Sequence, residues 1–162
     1  VKFLIESRYE KKDCYYLHAT GKAGAGMIDE IKEKINLDAN PQIMLREYIN
    51  DMDRCLAAAD IVICRAGASS LSEIQALGKP SILVPYPYAA ENHQYYNAKT
   101  LADRDAAILI EEKDFTGERL LSEVEKLLAD PKKLAEMGRN AKDMAILDAS
   151  QRITECVCKI VK

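Results

Sequence analysis

Short apolar runs alternate with longer stretches of helical periodicity along most of the chain. Five of these runs are rich in β-branched and aromatic residues and are short enough to be buried strands. They cover residues 14–20, 43–47, 60–65, 81–85 and 106–110. Because strands that alternate with helices form βαβ units, the pattern predicts an α/β fold, a Rossmann-like parallel sheet flanked by helices.

The helical pattern occupies the intervals between the apolar runs and the end of the chain. The intervals are residues 25–36, 51–59, 70–78 and 92–104, and a helical tail covers about 116–162, with breaks at 130–133 and 147–150. Either Asp148 or Ser150 is a suitable cap for the final helix. The opening "VKFLIESR" is typical of a helix end, so we expect the chain to lack the first strand of its fold.

Composition narrows the class of protein. The length of 162 residues predicts one domain, 1–162, and a net charge of -3 gives no reason to expect a nucleic-acid partner. Five cysteines without a C-x-x-C pair favour neither a disulfide framework nor a zinc site, which fits a reducing cytoplasm. No apolar run reaches the about 20 residues that span a bilayer, so contact with a membrane would be peripheral.

The stretch "RAGASSLSE", residues 65–73, follows a predicted strand and opens a helix. A glycine there lets the backbone approach a ligand, and the helix start offers free N–H groups to an anion. Arg65 and Ser69 add donors for a diphosphate, and Glu73 lies one turn beyond Ser70, where it can accept from ribose hydroxyls. The alternative is a capping box, since Ser70 and Glu73 have the S-x-x-E spacing that needs no ligand.

Two further segments carry polar or apolar groups suited to a ligand. The loop "PYPYAAENHQYYN", residues 85–97, delivers Glu91, Asn92, His93 and Gln94, which suit sugar hydroxyls. The alternative is that Asn92 caps the next helix and that His93 and Gln94 are solvated in its first turn. In "REYINDMDR", residues 46–54, Ile49 and Met52 can form an apolar slot for a base, while Asp51 is more simply a cap.

Other chemistry is not indicated. The stretch "TGKAGAG", residues 20–26, lacks the terminal G-K-[ST] of a phosphate loop and is interpreted as a flexible turn. His18 lies in an apolar run and is interpreted as structural. Two histidines and no paired acids on a helix suggest no metal site.

Three segments together resemble the C-terminal half of the MurG family of bacterial glycosyltransferases. They are "YINDM", "ADIVICRAGASSLSEIQALGKPSILVPYPYAAENHQYYNA" and "DPKKLAEMGRNA", and the likeness runs from about Cys14 to the end. The family moves N-acetylglucosamine from UDP-GlcNAc onto an undecaprenyl-linked muramyl-pentapeptide. The resemblance implies the donor half of a two-domain GT-B fold, with the lipid-linked acceptor on an N-terminal half, at the inner face of the cell membrane.

The resemblance also implies residue roles. Ile49 would bind uracil through its backbone with Met52 beside it, and Glu73 would hold the ribose diol. The nucleotide and diphosphate would contact Arg65, Gly67, Ala68, Ser69 and Ser70. The sugar would contact His93 and Gln94, with Asn92 beside them. No cofactor or metal is implied, and the family's proposed general base lies outside this chain, so no catalytic residue is assigned here.

Several functions remain open on the sequence alone. Family glycine-rich loops are missing, so we expect the chain alone to bind donor weakly and to do no turnover. One alternative is a related GT-B transferase acting on another lipid, such as diacylglycerol, because "ENHQ" does not distinguish hexoses. Another is a separately encoded nucleotide-sugar-binding subunit that needs a membrane partner, and a third is a structural βαβ domain.

Overall fold

The computed structural model describes residues 14–24, 26 and 40–161. The predicted helix end at residues 1–8 lies outside this part, as does the predicted helix 25–36 apart from Gly26. The described residues fall into two compact units, one within Val1–Cys55 and Asp114–Lys126 and the other within Leu56–Lys113 and Leu127–Lys162. The division of the chain into domains therefore stays a prediction.

The first unit contains a pair of parallel strands. Strand β1, Tyr16–Ala19, and strand β2, Ile43–Arg46, are paired from Tyr16 with Ile43 to Ala19 with Arg46. The predicted turn after β1 contains a short 3₁₀ helix at Lys22–Gly24. Helix α1, Met52–Ala58, begins in this unit. Both strands are shorter than the apolar runs that predicted them, although backbone hydrogen bonds from Thr20 to Arg46 and from Gly21 to Glu47 continue the pairing by two residues.

The second unit is built on a three-stranded parallel sheet. Strand β3 is Val62–Cys64, β4 is Ser81–Leu83 and β5 is Ala107–Leu109, in the order β3-β4-β5. Val62 pairs with Ser81, and Ser81 pairs in turn with Ala107. The central strand is fully buried, as expected for a strand covered on both faces. The predicted parallel sheet flanked by helices is therefore confirmed.

Five helices follow the strands or form the tail. Helix α2 is Ala68–Leu77, α3 is His93–Ala102, α4 is Gly117–Ala129, α5 is Pro131–Asp143 and α6 is Ala149–Ile160. The predicted breaks in the tail are confirmed: Asp130 caps α5 by accepting from the Lys133 N–H at 3.0 Å, and Asp148 precedes α6. In the part of the chain that the structure describes, no helix combines the length and apolar character needed to cross a membrane.

The core of the second unit joins α2, α3 and α5 to the sheet. Its buried members are Ala66, Leu71, Ile74, Leu83, Ala98, Leu101, Ala106, Ala107 and Ala141. Gly78 ends α2 in the left-handed conformation, with φ 63°. A Cβ on Gly78 would lie 3.1 Å from the Gly138 carbonyl oxygen, so α2 and α5 meet backbone to backbone. This contact fixes the helix that carries the candidate site.

Candidate functional site

Three loops meet at the carboxyl edge of the three-stranded sheet. They follow β3, β4 and β5, and because the strands are parallel, all three leave the sheet at the same edge. Ligands of open parallel sheets bind at this edge. Most of the residues predicted from the sequence lie here, from Arg65 to Glu73 after β3 and from Asn92 to Gln94 after β4.

Arg65, in the loop after β3, contacts the loops after β4 and β5. Its Nη1 donates to the carbonyl oxygens of Val84 and Pro85, each at 3.2 Å, and forms an ion pair with Glu112 after β5. Its guanidinium also lies over the ring of Tyr86, 5.7 Å from the centroid. The side chain is 47% exposed, so part of the cation faces solvent. Sequence analysis predicted Arg65 as a diphosphate ligand but missed Glu112.

The amino end of α2 has no side-chain cap. Gly67 is the N-cap residue, with φ -71° and ψ 143°, and the first helical bond runs from the Leu71 N–H to the Gly67 carbonyl. The N–H groups of residues 68–70 precede that bond and have no partner within the helix. Ser70 is therefore the third helical residue, and the capping-box interpretation of Ser70 and Glu73 is wrong.

The space in front of this helix end is open. Among the residues that the structure describes, no atom lies within 4 Å of a Cβ built on Gly67, so a ligand can approach the backbone there. Ser69 and Glu73 are exposed and Ser70 is half-buried. The helix start thus offers unpaired donors and the positive end of the helix dipole, with a guanidinium before it and a carboxylate one turn beyond.

The loop after β4 orients two polar side chains by hydrogen bonds. The Gln94 Oε1 accepts from the Tyr86 N–H at 3.0 Å, which leaves the side-chain NH₂ to donate. The His93 Nδ1 lies 2.8 Å from the Ala90 carbonyl oxygen. Because a carbonyl only accepts, Nδ1 carries the proton, and Nε2 of the neutral ring can accept. Both residues lie in the first turn of α3, as the alternative interpretation held, and in addition each side chain makes a hydrogen bond to the preceding loop.

The loop after β4 has two strained residues, and a hydrogen bond joins the helix that follows it to the loop after β3. Glu91 and Asn92 both have left-handed backbones, with φ 50° and 53°, which is costly for residues other than glycine. Asn92 precedes α3 but makes no side-chain cap. The Asn97 Nδ2 donates to the Ala66 carbonyl at 3.2 Å, so α3 is joined to the loop after β3. The structure therefore connects the diphosphate and sugar candidates within one unit.

The residues predicted to hold a base lie in the first unit. Ile49 is buried, at 8% exposure, and Met52 is 39% exposed at the start of α1. The turn between them is held by an ion pair of 2.9 Å between Arg46 and Asp51. The Asp51 carbonyl accepts from the Cys55 N–H, so Asp51 is at the helix start, as its interpretation as a cap required.

The Cys64 thiol at the end of β3 is not an activated nucleophile. Burial raises the pKa of the Cys64 thiol to about 11, so it is a neutral core group at physiological pH. Burial lowers the pKa of His18 in β1, which favours its neutral form. Among residues 14–24, 26 and 40–161, no cluster of three or more His, Cys, Asp or Glu side chains has the arrangement of a metal site.

Comparisons with known proteins identify the family of the chain. UDP-N-acetylglucosamine--N-acetylmuramyl-(pentapeptide) pyrophosphoryl-undecaprenol N-acetylglucosamine transferases are similar to the chain. That of Desulforamulus reducens is 44% identical over 147 residues, which are 90% of this chain and 40% of the relative. That of Acetivibrio thermocellus is 44% identical over 159 residues, covering 98% of this chain and 42% of the relative.

A solved structure and a family model complete the comparison. The crystal structure of Acinetobacter baumannii MurG superposes with a TM-score of 0.78 at 28% identity, over 97% of this chain and 44% of that one. The chain therefore spans about two fifths of the length of the relatives it matches. The model of the glycosyltransferase family 28 C-terminal domain matches residues 3–153. The resemblance found in the sequence is confirmed, and the chain belongs to the family of glycosyltransferase family 28 C-terminal domains.

Proposed function

We propose that this chain is the donor-binding half of an inverting, metal-independent N-acetylglucosaminyltransferase with UDP-GlcNAc as donor. The acceptor would be an undecaprenyl-linked muramyl-pentapeptide, so the reaction is the step from lipid I to lipid II in peptidoglycan synthesis. The relatives' names support this reaction. The observation that carries the proposal is the uncapped, open amino end of α2, with Arg65 and Glu73 on either side of it.

The geometry suits departure of a nucleoside diphosphate. As the bond from the sugar to the diphosphate breaks, negative charge grows on the diphosphate, and the free N–H groups of α2 and the Arg65 guanidinium stabilise it. These donors are held in place before the reaction, which is why no metal is required of the site. Glu73 accepts from the ribose hydroxyls, and Ile49 and Met52 bind the uracil in their own unit.

The sugar would be held by the loop after β4. The Gln94 NH₂ donates to a hydroxyl oxygen, and the His93 Nε2 accepts from a hydroxyl, because their other polar atoms are already bonded within the chain. Asn92 completes this side. The two residues therefore supply complementary hydrogen-bonding groups, a donor and an acceptor, to neighbouring hydroxyls.

The acceptor and the general base would come from outside this chain. The relatives are more than twice as long as their match to it, and we assign both roles to the part of them that it does not cover. We further propose a cytoplasmic, peripheral association with the inner face of the cell membrane. The chain alone should then bind UDP weakly and transfer no sugar, and efficient transfer to a lipid acceptor by this chain alone would contradict the assignment.

The test is a titration of the chain with UDP and UDP-GlcNAc, followed by amide NMR shifts. We expect shifts centred on residues 65–73. Glu73→Ala should weaken binding by about 1 to 3 kcal/mol, or roughly 5- to 150-fold, because the ribose hydroxyls lose their acceptor. The matched control is Glu125→Ala, which removes an exposed carboxylate from α4 and should leave affinity unchanged.

Two results would overturn parts of this proposal. Equal affinity of the Glu73→Ala chain and the unaltered chain would exclude the ribose role, and an absence of shifts at the start of α2 would favour a structural domain. Competition by UDP-glucose as effective as that by UDP-GlcNAc would instead favour a related transferase that uses another sugar and another lipid acceptor.

A further inference from the structure

We propose that Glu112 is a positioning residue that holds Arg65 in the orientation required for diphosphate binding. The inference rests on the proposed function. Glu112 follows β5, and its carboxylate pairs with the Nη1 of Arg65, which follows β3, 47 residues earlier in the chain. No residue role predicted from the sequence included Glu112.

The contacts divide the guanidinium into a bound side and a free side. All three acceptors of Arg65, the carbonyls of Val84 and Pro85 and the carboxylate of Glu112, are bonded to Nη1. Within the described ranges, the Nε and Nη2 groups donate to no other residue. These groups retain three N–H donors, and the planar edge formed by Nε and Nη2 matches two oxygens of a phosphate.

Glu112 therefore complements the diphosphate rather than occupying its place. If an anion displaced Glu112 from Nη1, two backbone carbonyl oxygens would still accept hydrogen bonds from Nη1. These carbonyls belong to Val84 and Pro85 in the loop after β4. The ring of Tyr86 restrains the guanidinium further, at 5.7 Å from its centroid. A phosphate is instead bound at the free edge while Glu112 keeps its contact.

The ion pair acts through orientation more than through stability. The side chains of Arg65 and Glu112 are 47% and 44% exposed, and ion pairs this exposed contribute little to folding. An arginine side chain has much rotamer freedom to lose on binding, so holding the head in place beforehand lowers the entropy cost of binding the ligand. Loss of Glu112 should thus change affinity without unfolding the chain.

The neighbouring residue provides a matched control. Glu111 carries the same charge one position earlier, but its carboxylate pairs with Lys113 at 3.3 Å. Both Glu111→Gln and Glu112→Ala remove one negative charge near the sheet edge and, through Coulomb attraction alone, should strengthen binding of an anion. Only the second removes the acceptor of Arg65. The two explanations therefore predict opposite changes for Glu112→Ala.

The first measurement needs no nucleotide. Side-chain NMR relaxation of the Arg65 Nε–H group should show an ordered guanidinium in the unaltered chain and in Glu111→Gln. Glu112→Ala should lower this order, and Glu112→Gln, whose amide oxygen still accepts from Nη1, should retain most of it. Equal order in Glu112→Ala and the unaltered chain would overturn the proposal.

The second measurement is a UDP titration of the same four proteins. We expect Glu112→Ala to raise the Kd about three- to fivefold. Glu112→Gln keeps the acceptor of Arg65 and loses the charge, so its Kd should equal that of the unaltered chain or fall below it, as for Glu111→Gln. A lower Kd in Glu112→Ala, matching Glu111→Gln, would overturn the positioning role. If UDP bound none of the four proteins, the proposed function would fail, while the order of Arg65 would still decide whether Glu112 holds it.

Discussion

Gly78→Ala tests the backbone contact that supports α2. Gly78 has φ 63°, and a Cβ there would lie 3.1 Å from the Gly138 carbonyl oxygen and 3.2 Å from the Lys142 Cβ. The left-handed backbone costs a residue with a Cβ about 1 to 2 kcal/mol, and a contact this close to backbone adds about 1 kcal/mol. The sum is about 2 to 3 kcal/mol of lost stability.

The assay is thermal unfolding followed by circular dichroism. For a chain of this size, the loss should lower the Tm by roughly 4 to 12 °C. Gly67→Ala is the control, because the φ of -71° at this position suits any residue and the added Cβ would have no described atom within 4 Å. A Tm unchanged by Gly78→Ala, or lowered as much by Gly67→Ala, would refute the close approach of α2 and α5.

Three other predictions concern buried groups. The Ser81 hydroxyl is fully buried, and no described residue forms a hydrogen bond with it. Ser81→Ala should therefore leave the free energy of unfolding in urea unchanged or raise it by up to about 1 kcal/mol. A clear loss of stability would imply a hydrogen-bond partner. Because burial raises the pKa of Cys64 to about 11, iodoacetamide should alkylate Cys64 far more slowly than the exposed Cys156. Peptide mass spectrometry measures the two rates, and equal rates would contradict the burial of Cys64. Burial lowers the pKa of His18 in the folded chain, so His18 contributes stability that is complete above its ordinary pKa of 6.5 and is lost as pH falls through the folded value. His18→Gln should therefore make the free energy of unfolding depend less on pH on the acid side. An unchanged pH dependence would exclude this contribution.

Within the described residues, the sequence was sufficient for the strands and for the order of the helices. Buried parallel strands are continuous apolar runs, and every predicted run contains a strand of the structure, although each strand is shorter than its run. The break in the tail at residues 130–133 was also predicted, and the structure adds that Asp130 caps the helix that follows it.

The sequence-based predictions were wrong or incomplete where a local motif allowed two interpretations and where the partner residue lies far away in the chain. At α2, the S-x-x-E spacing suggested a cap at Ser70, but the backbone turns at Gly67 and the helix starts two residues before the predicted position. Glu112 carried no signal, because its partner Arg65 is brought near only by parallel pairing of β3, β4 and β5. Contacts between residues of different loops depend on tertiary packing, and the local sequence pattern does not determine them.

The most direct test is a crystal of this chain soaked in UDP. The diphosphate should lie within hydrogen-bonding distance of the N–H groups of Ser69 and Ser70 and of the free edge of Arg65, with the ribose hydroxyls on the Glu73 carboxylate. A nucleotide bound elsewhere on the chain, or an α2 amino end that a neighbouring loop of the same chain closes off, would contradict the central claim.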